Sequence, residues 1–195
     1  MKNDFIFTLY KNPQSVFTAK SISLIFPDLK SESIKNKIQY ALRTKKLIHL
    51  RKGMYVKESF NHFELANKLY TPSYISLETV LQKEGIVFQN YKTIYAISYV
   101  SRRVNIGLIT IEYRKINNKI LLNNTGIVQT NNYNIASKER AFLDALTLYK
   151  DYHFDNLKPL DWNIVFELIP LYENKALEKR AKEYFQLFRK VYVQS

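Results

Sequence analysis

Between Ser31 and Val56 the hydrophobic period changes from that of a helix to that of strands within a few residues, and this change restricts the fold more than any other feature. Ile34, Ile38, Ala41 and Leu42 recur at helical spacing and predict a buried stripe, with Ser31 or Ser33 as the N-cap. Leu47, Ile48 and Leu50, then Met54, Tyr55 and Val56, form two short strand-like runs around Arg51-Lys52-Gly53, a turn whose glycine can take positive φ. Two shorter helices precede this unit. Asp4 opens one over residues 4–11, ending near Asn12-Pro13 because a residue before proline avoids the helical region. Thr18 caps the other, which carries Ile22, Ile25 and Phe26 on one face and stops at Pro27.

Charge falls on the same stretch. Twelve of the thirty Lys and Arg residues lie in residues 1–57 beside three acids, Asp4, Asp28 and Glu32, so this segment holds +9 of the total +13. Cations gathered on one compact module are suited to a phosphate backbone. A polar arc on a helix is most often a solvated face, but a capped basic helix followed by a hairpin with a basic tip matches the winged helix-turn-helix pattern. Residues 1–57 are therefore predicted to be a DNA-binding domain for duplex DNA. Lys35, Lys37, Arg51 and Lys52 are expected on phosphates, with affinity that falls as salt rises, and Ser33 as a phosphate donor at the helix start. On the outer arc, Asn36, Gln39, Tyr40 and Arg43 face away from the stripe, and Asn36, Tyr40 and Arg43 are the expected readers of base edges.

Residues 58–195 carry only +4 and are predicted to form a second domain, making the chain α+β with a small, mostly antiparallel sheet and C-terminal helices. A helix over 61–70 is expected to bury Phe63, Ala66, Asn67 and Tyr70. Ser73 or Ser76 is expected to cap the next, with Leu77, Val80 and Leu81 inward and Gly85 as its stop. Strand patterns follow over 92–101, 104–115, 119–122 and 127–130, with turns at Arg102-Arg103, Asn117-Asn118 and Asn123-Asn124. Ser137 then caps a helix to about Lys150 that buries Phe142, Ala145, Leu146 and Tyr149 and pairs Arg140 with Asp144 at i, i+4. Glu139 falls near that buried face, where a carboxylate needs a cation or a backbone donor. Two more helices are predicted at 161–172 and 174–190.

Several chemistries lack their residues. Without cysteine there is neither disulfide nor thiolate site, and His49, His62 and His153 have no metal-ligand spacing. Gly107 and Gly126 stand apart among four glycines, which argues against a phosphate loop or dinucleotide fold, and no serine sits in a nucleophile elbow. The apolar stretch at 5–10, interrupted by Thr8, is too short for a signal-peptide core of about 7–15 residues, and nothing approaches the ~18 of a membrane span. The expectation is a soluble cytoplasmic protein with no cofactor, no metal and no enzymatic activity. A nuclease would need Asp161 with Glu173-Asn174-Lys175, but both segments read as helical, whereas such carboxylates converge from adjacent strands. A regulator whose second domain senses a ligand or dimerises is the other alternative.

The run Pro72-Ser73-Tyr74-Ile75-Ser76-Leu77-Glu78-Thr79-Val80-Leu81, closing at Gly85-Ile86, resembles a motif of the AbiEi abortive-infection antitoxins. Their other mark is a helix start like Ala136-Ser137-Lys138-Glu139-Arg140-Ala141-Phe142-Leu143-Asp144. The resemblance covers roughly residues 15–150 and keeps the family's order of elements. This chain has Ser137 where family members often have proline, and Lys83-Glu84 where they have a histidine shortly before the glycine. The resemblance implies a type IV antitoxin that represses its own promoter, at inverted repeats, through the winged helix. It also implies that the second domain counters a nucleotidyltransferase-like toxin without a stable complex.

Overall fold

The computed structural model describes residues 4–90, 92–130 and 132–192, so Lys2, counted in the basic stretch, lies outside it. The chain divides into two compact units, one ending at Lys68 and one beginning at Leu69.

The first unit contains α1 (Phe5–Lys11), β1 (Val16–Thr18), α2 (Ala19–Ile25), α3 (Ser31–Arg43), β2 (Ile48–Arg51), β3 (Met54–Val56) and α4 (His62–Leu69). Side chains fix two of its helix starts. Asp4 Oδ1 accepts the Ile6 N–H at 3.0 Å, and Thr18 and Ser21 exchange side-chain and backbone bonds in a capping box. The serines do not cap α3. Lys30 is its N-cap, without a side-chain bond, and Ser31 is already helical. Ile34, Ile38 and Ala41 are buried as their spacing predicts, and join Phe5, Leu9, Phe17 and Ile22 in one core. Each of the Ile, Leu and Phe side chains contributes roughly 1.5–3 kcal/mol by leaving water.

Three antiparallel strands in the order β1-β3-β2 close this unit, with Phe17 opposite Tyr55, and Gly53 turns the hairpin at φ 74°. β1 was not predicted because it is three residues long and its last, Thr18, also caps α2. The unit runs past residue 57 to include α4, and the reason is chemical. Fully buried Glu64 accepts the backbone N–H of Ser15 at 2.8 Å and of Val16 at 3.2 Å, as well as the Ser15 hydroxyl. Lys68 pairs with Glu64 at 2.8 Å and donates to the Val16 carbonyl, so α4 is bonded to β1.

The second unit holds β4 (Ser73–Ile75), α5 (Glu78–Lys83), β5 (Ile94–Ser98), β6 (Arg102–Ile106), β7 (Ile109–Lys115), α6 (Asn118–Leu121), β8 (Ile127–Gln129) and β9 (Asn134–Ala136). It ends with α7 (Lys138–Leu148), α8 (Trp162–Leu168), a 3-10 turn (Ile169–Tyr172) and α9 (Lys175–Tyr192). The six strands lie in the order β6-β7-β5-β4-β9-β8. Three pairings are antiparallel and two, β4 with β9 and β5 with β7, are parallel.

Four local expectations are corrected here. Ser73 lies in a strand, and Ser76 is not a cap: Leu77 is the N-cap of α5, buried, at φ 54° and ψ −140°. A left-handed backbone at such a residue costs about 1–3 kcal/mol, which its buried side chain offsets. Arg102-Arg103 belongs to β6, and the turn comes instead at Gly107, φ 58°. Residues 119–122 do not form a strand. Asn117 Oδ1 accepts the Lys119 N–H at 2.9 Å and starts the short helix α6, so capping chemistry outweighs the apolar content.

α7 begins as expected, with Ser137 Oγ accepting the Arg140 N–H at 3.2 Å, and is buried from Glu139 to Leu146. It packs against α5, α8 and α9. Phe142 meets Phe154 at 4.7 Å and Trp162 at 5.7 Å between ring centroids.

Candidate nucleic-acid interface

The buried stripe of α3 fixes which residues face out. Lys35, Asn36, Gln39, Tyr40 and Arg43 are exposed, and Ser33 and Lys37 are half-buried. The arc has two flanks. Ser33, Asn36, Lys37 and Tyr40 line one side of a groove of about 830 Å3, with Phe5 and Ile6 of α1 opposite. Lys35 and Gln39 instead border a smaller groove of about 250 Å3 against Lys20 of α2 and Tyr55 of β3. Arg51 and Lys52 stand exposed at the hairpin turn and line neither groove.

Aromatic rings position two of these cations. The Arg43 guanidinium lies 5.6 Å from the Tyr40 ring centroid, and the Lys37 ammonium 5.8 Å from that of Phe5. Among the described residues, none of Lys35, Lys37, Arg43, Arg51 and Lys52 makes an ion pair. No ion pair takes up their charge, although Asp4 and Glu32 line the larger groove together with Lys30 and Lys37.

Lys20 and Lys30, which join the grooves, are missing from the sequence-derived set. Lys30 is placed there because the helix starts earlier than its serines suggest, and Lys20 because α2 packs beside α3.

In the second unit the two motif segments meet in one buried network. Asp144 accepts from Ser76 Oγ at 2.8 Å, from the Tyr172 hydroxyl at 2.8 Å and from the Tyr74 hydroxyl at 3.3 Å. Arg140 Nε faces Asp144 Oδ1 at 3.6 Å, an ion-pair distance, while its other nitrogens donate to the carbonyls of Thr125 at 2.8 Å and Ile120 at 2.7 Å. The guanidinium lies 5.5 Å from the Tyr74 ring and 5.4 Å from the Tyr172 ring. Arg140 and Asp144 are both fully buried. Burial raises the carboxyl of Asp144 above its ordinary range despite the opposing pull of Arg140, and burial also pushes both tyrosines well up.

Other singled-out carboxylates hold structure together. Glu139 Oε1 accepts the Asp161 N–H at 3.2 Å, the backbone donor that its burial demands. Asp161 caps α8, accepting the Asn163 N–H at 2.9 Å, and Asn174 accepts the Ala176 N–H at 3.0 Å. Glu173 pairs with Lys119 at 3.0 Å. Among the described residues, no three His, Asp or Glu side chains gather as a metal ion would require. No helix there is long and apolar enough to cross a membrane.

No family model matches the chain, and no curated protein matches it.

Proposed function

We propose that the first unit is a winged helix-turn-helix that binds duplex DNA, with α3 as the recognition helix and the β2–β3 hairpin as the wing. The observation that carries this is the exposed arc of α3, continued by Arg51 and Lys52 at the hairpin turn, in which the cations have no acid partner among the described residues. Two helices, α2 and α3, followed by the β2–β3 hairpin also support this reading. Lys35, Lys37, Arg51 and Lys52 neutralise phosphates, with Ser33 donating to one, Asn36, Tyr40 and Arg43 meet base edges, and Gln39 lies beside them on the same arc. Arg43, steadied by Tyr40, suits the bidentate contact that discriminates guanine.

We further propose that the chain is an antitoxin of the AbiEi type, repressing its own promoter at inverted repeats and countering a nucleotidyltransferase-like toxin through the second unit. Its support is the resemblance of two segments, whose residues Tyr74, Ser76, Arg140 and Asp144 come together in one network. Toxin and antitoxin act without a stable complex in this reading. A gel shift on the DNA upstream of the gene tests the first part: retardation at low salt is expected, and its absence would sink the regulator. Co-expression with the neighbouring gene tests the second. Growth should be rescued by the whole chain, and rescue that survives removal of the second unit would contradict the role given to it.

A further inference from the structure

The net charge of residues 58–195 is gathered in the last helix. Residues 58–174 hold twelve Lys and Arg beside twelve Asp and Glu, so the +4 lies wholly in α9, with six cations and two acids. Lys175, Lys179, Lys182, Gln186 and Lys190 recur every three or four residues, with Arg189 beside the last, a spacing that aligns side chains on one face of a helix. All six are exposed. At about 1.5 Å per residue, the row from Lys175 to Lys190 is roughly 22 Å long.

The opposite face of α9 is packed inward. Leu177 and Ala181 are buried, and the Phe185 and Phe188 rings lie 5.2 and 5.6 Å from that of Trp162 between centroids. The row is therefore held toward solvent along one helix. Its acids do not cancel it. Glu178 pairs with Lys182 at 2.6 Å and Glu183 is exposed on the same surface, while Arg180 turns to the Tyr149 carbonyl. Five cations against two acids leave +3 on the exposed face. Among the described residues, Lys175, Lys179, Arg189 and Lys190 make no ion pair.

We propose that this face of α9 is a second nucleic-acid contact, which docks on the phosphate backbone of duplex DNA without reading its sequence. Duplex DNA carries about one negative charge per 1.7 Å of axis, a dense and regular track for a straight row of cations. The chemistry of the row disfavours other polyanions. A single strand is held by bases stacked on aromatic side chains, and an acidic protein needs buried apolar anchors, but the row has neither kind of residue. Exposed Leu187 beside it is ordinary for a protein surface. A membrane surface would take the apolar face of such a helix, which here packs on Trp162 of α8. The choice of DNA over duplex RNA rests on the reading of the first unit as a DNA-binding module.

Fluorescence anisotropy of the full chain with a random-sequence DNA duplex, across a chloride series, tests this. Joint replacement Lys175→Gln, Lys179→Gln, Arg189→Gln and Lys190→Gln should weaken binding about tenfold or more at low salt. It should also reduce the slope of log affinity against log salt by about two or more. A control with Lys83→Gln, Lys92→Gln, Lys115→Gln and Lys158→Gln removes the same charge from exposed positions elsewhere in the second unit and should keep the parent slope. Thermal midpoints of both variants should stay near the parent's, so lost binding cannot be ascribed to unfolding. An unchanged slope in the α9 variant, or an equal fall in the control, overturns the proposal. So does α9-dependent binding that is tighter for poly-glutamate, a single strand or duplex RNA than for duplex DNA. A third variant, Arg51→Gln with Lys52→Gln, separates this contact from that of the first unit. If it alone loses affinity, the hairpin keeps its role and α9 loses the one proposed here; if the α9 variant alone loses affinity, the reverse holds.

Discussion

Lys52 at the hairpin turn and Arg140 in α7 carry the same charge in opposite settings. Lys52 is exposed and makes no ion pair among the described residues, whereas Arg140 is fully buried, faces Asp144 and reaches two backbone carbonyls. The contrast extends to their units. Cations of the first unit stand mostly on its surface, with half-buried Lys57 and Lys68 as exceptions, while in the second Arg180 donates to the Tyr149 carbonyl at 2.8 Å and Arg114 rests on Tyr149. An exposed cation is available to an outside anion and contributes little to folding, but a buried one has been desolvated and must keep its partners. Net charge cannot separate these cases, because pairing and burial decide what each cation does.

The largest effect should come from breaking the buried side of this contrast. Arg140→Met should destabilise the protein by about 3–5 kcal/mol, since it strands Asp144 in the core without its cation. Urea unfolding measures this, and a loss within the range of surface substitutions would refute the network as a structural centre. Glu64→Ala should cost less, about 2–3 kcal/mol, by leaving the N–H groups of Ser15 and Val16 without their acceptor. If α4 belonged to the second unit instead, the loop at Ser15 would keep its protection from hydrogen exchange in this variant. Lys52→Ala is the reference for both, with stability expected within about 0.5 kcal/mol of the parent.

The same contrast explains which parts could be read from sequence. The caps Thr18 and Ser137 announced α2 and α7, Asp4 and Asn12-Pro13 bounded α1, and helical period alone announced α3, because an apolar stripe such as Ile34, Ile38 and Ala41 is a local pattern with a tertiary consequence. β1 and β9 were silent, since three residues are too few to show alternation and the pairings that place them in their sheets, with β3 and with β4, span long stretches of chain. Ser76 was misplaced for a related reason: a serine before an apolar run looks like a cap, and only the fold brings Asp144 within 2.8 Å of its hydroxyl. In the candidate DNA site, the arc of α3 was legible from the helix alone. Lys20 and Lys30 were not, because their positions depend on how α2 and the start of α3 pack.

On the exposed side of the contrast, the expected losses appear in binding rather than folding. Arg43→Ala should weaken operator binding by about 1–3 kcal/mol and relax sequence preference at one base pair. Lys52→Ala should weaken binding to every duplex alike and reduce the slope of log affinity against log salt by about one. Fluorescence anisotropy with operator and scrambled duplexes across a salt series separates the two. A sequence-independent loss for Arg43, or a sequence-dependent loss for Lys52, would reverse their assignments.

Glu78 provides the smallest and most selective test, because it is a buried acid beside a cation that does not neutralise its environment. Burial raises its carboxyl above the ordinary 4.5, outweighing its own backbone hydrogen bond, the Tyr149 hydroxyl and Arg114, and its Oε2 has no hydrogen-bond partner among the described residues. The folded state therefore holds this proton more tightly than the unfolded chain does. The associated stability is fully present below pH 4.5 and is lost as pH rises from there through the raised folded value. Glu78→Gln keeps the shape without the titration, so thermal midpoints of the variant and the parent should diverge in the variant's favour as pH rises from about 4 to 8. Parallel curves over that window would mean that Glu78 ionises as freely as an exposed carboxylate. The second unit would then tolerate this buried charge as readily as the first tolerates its exposed ones.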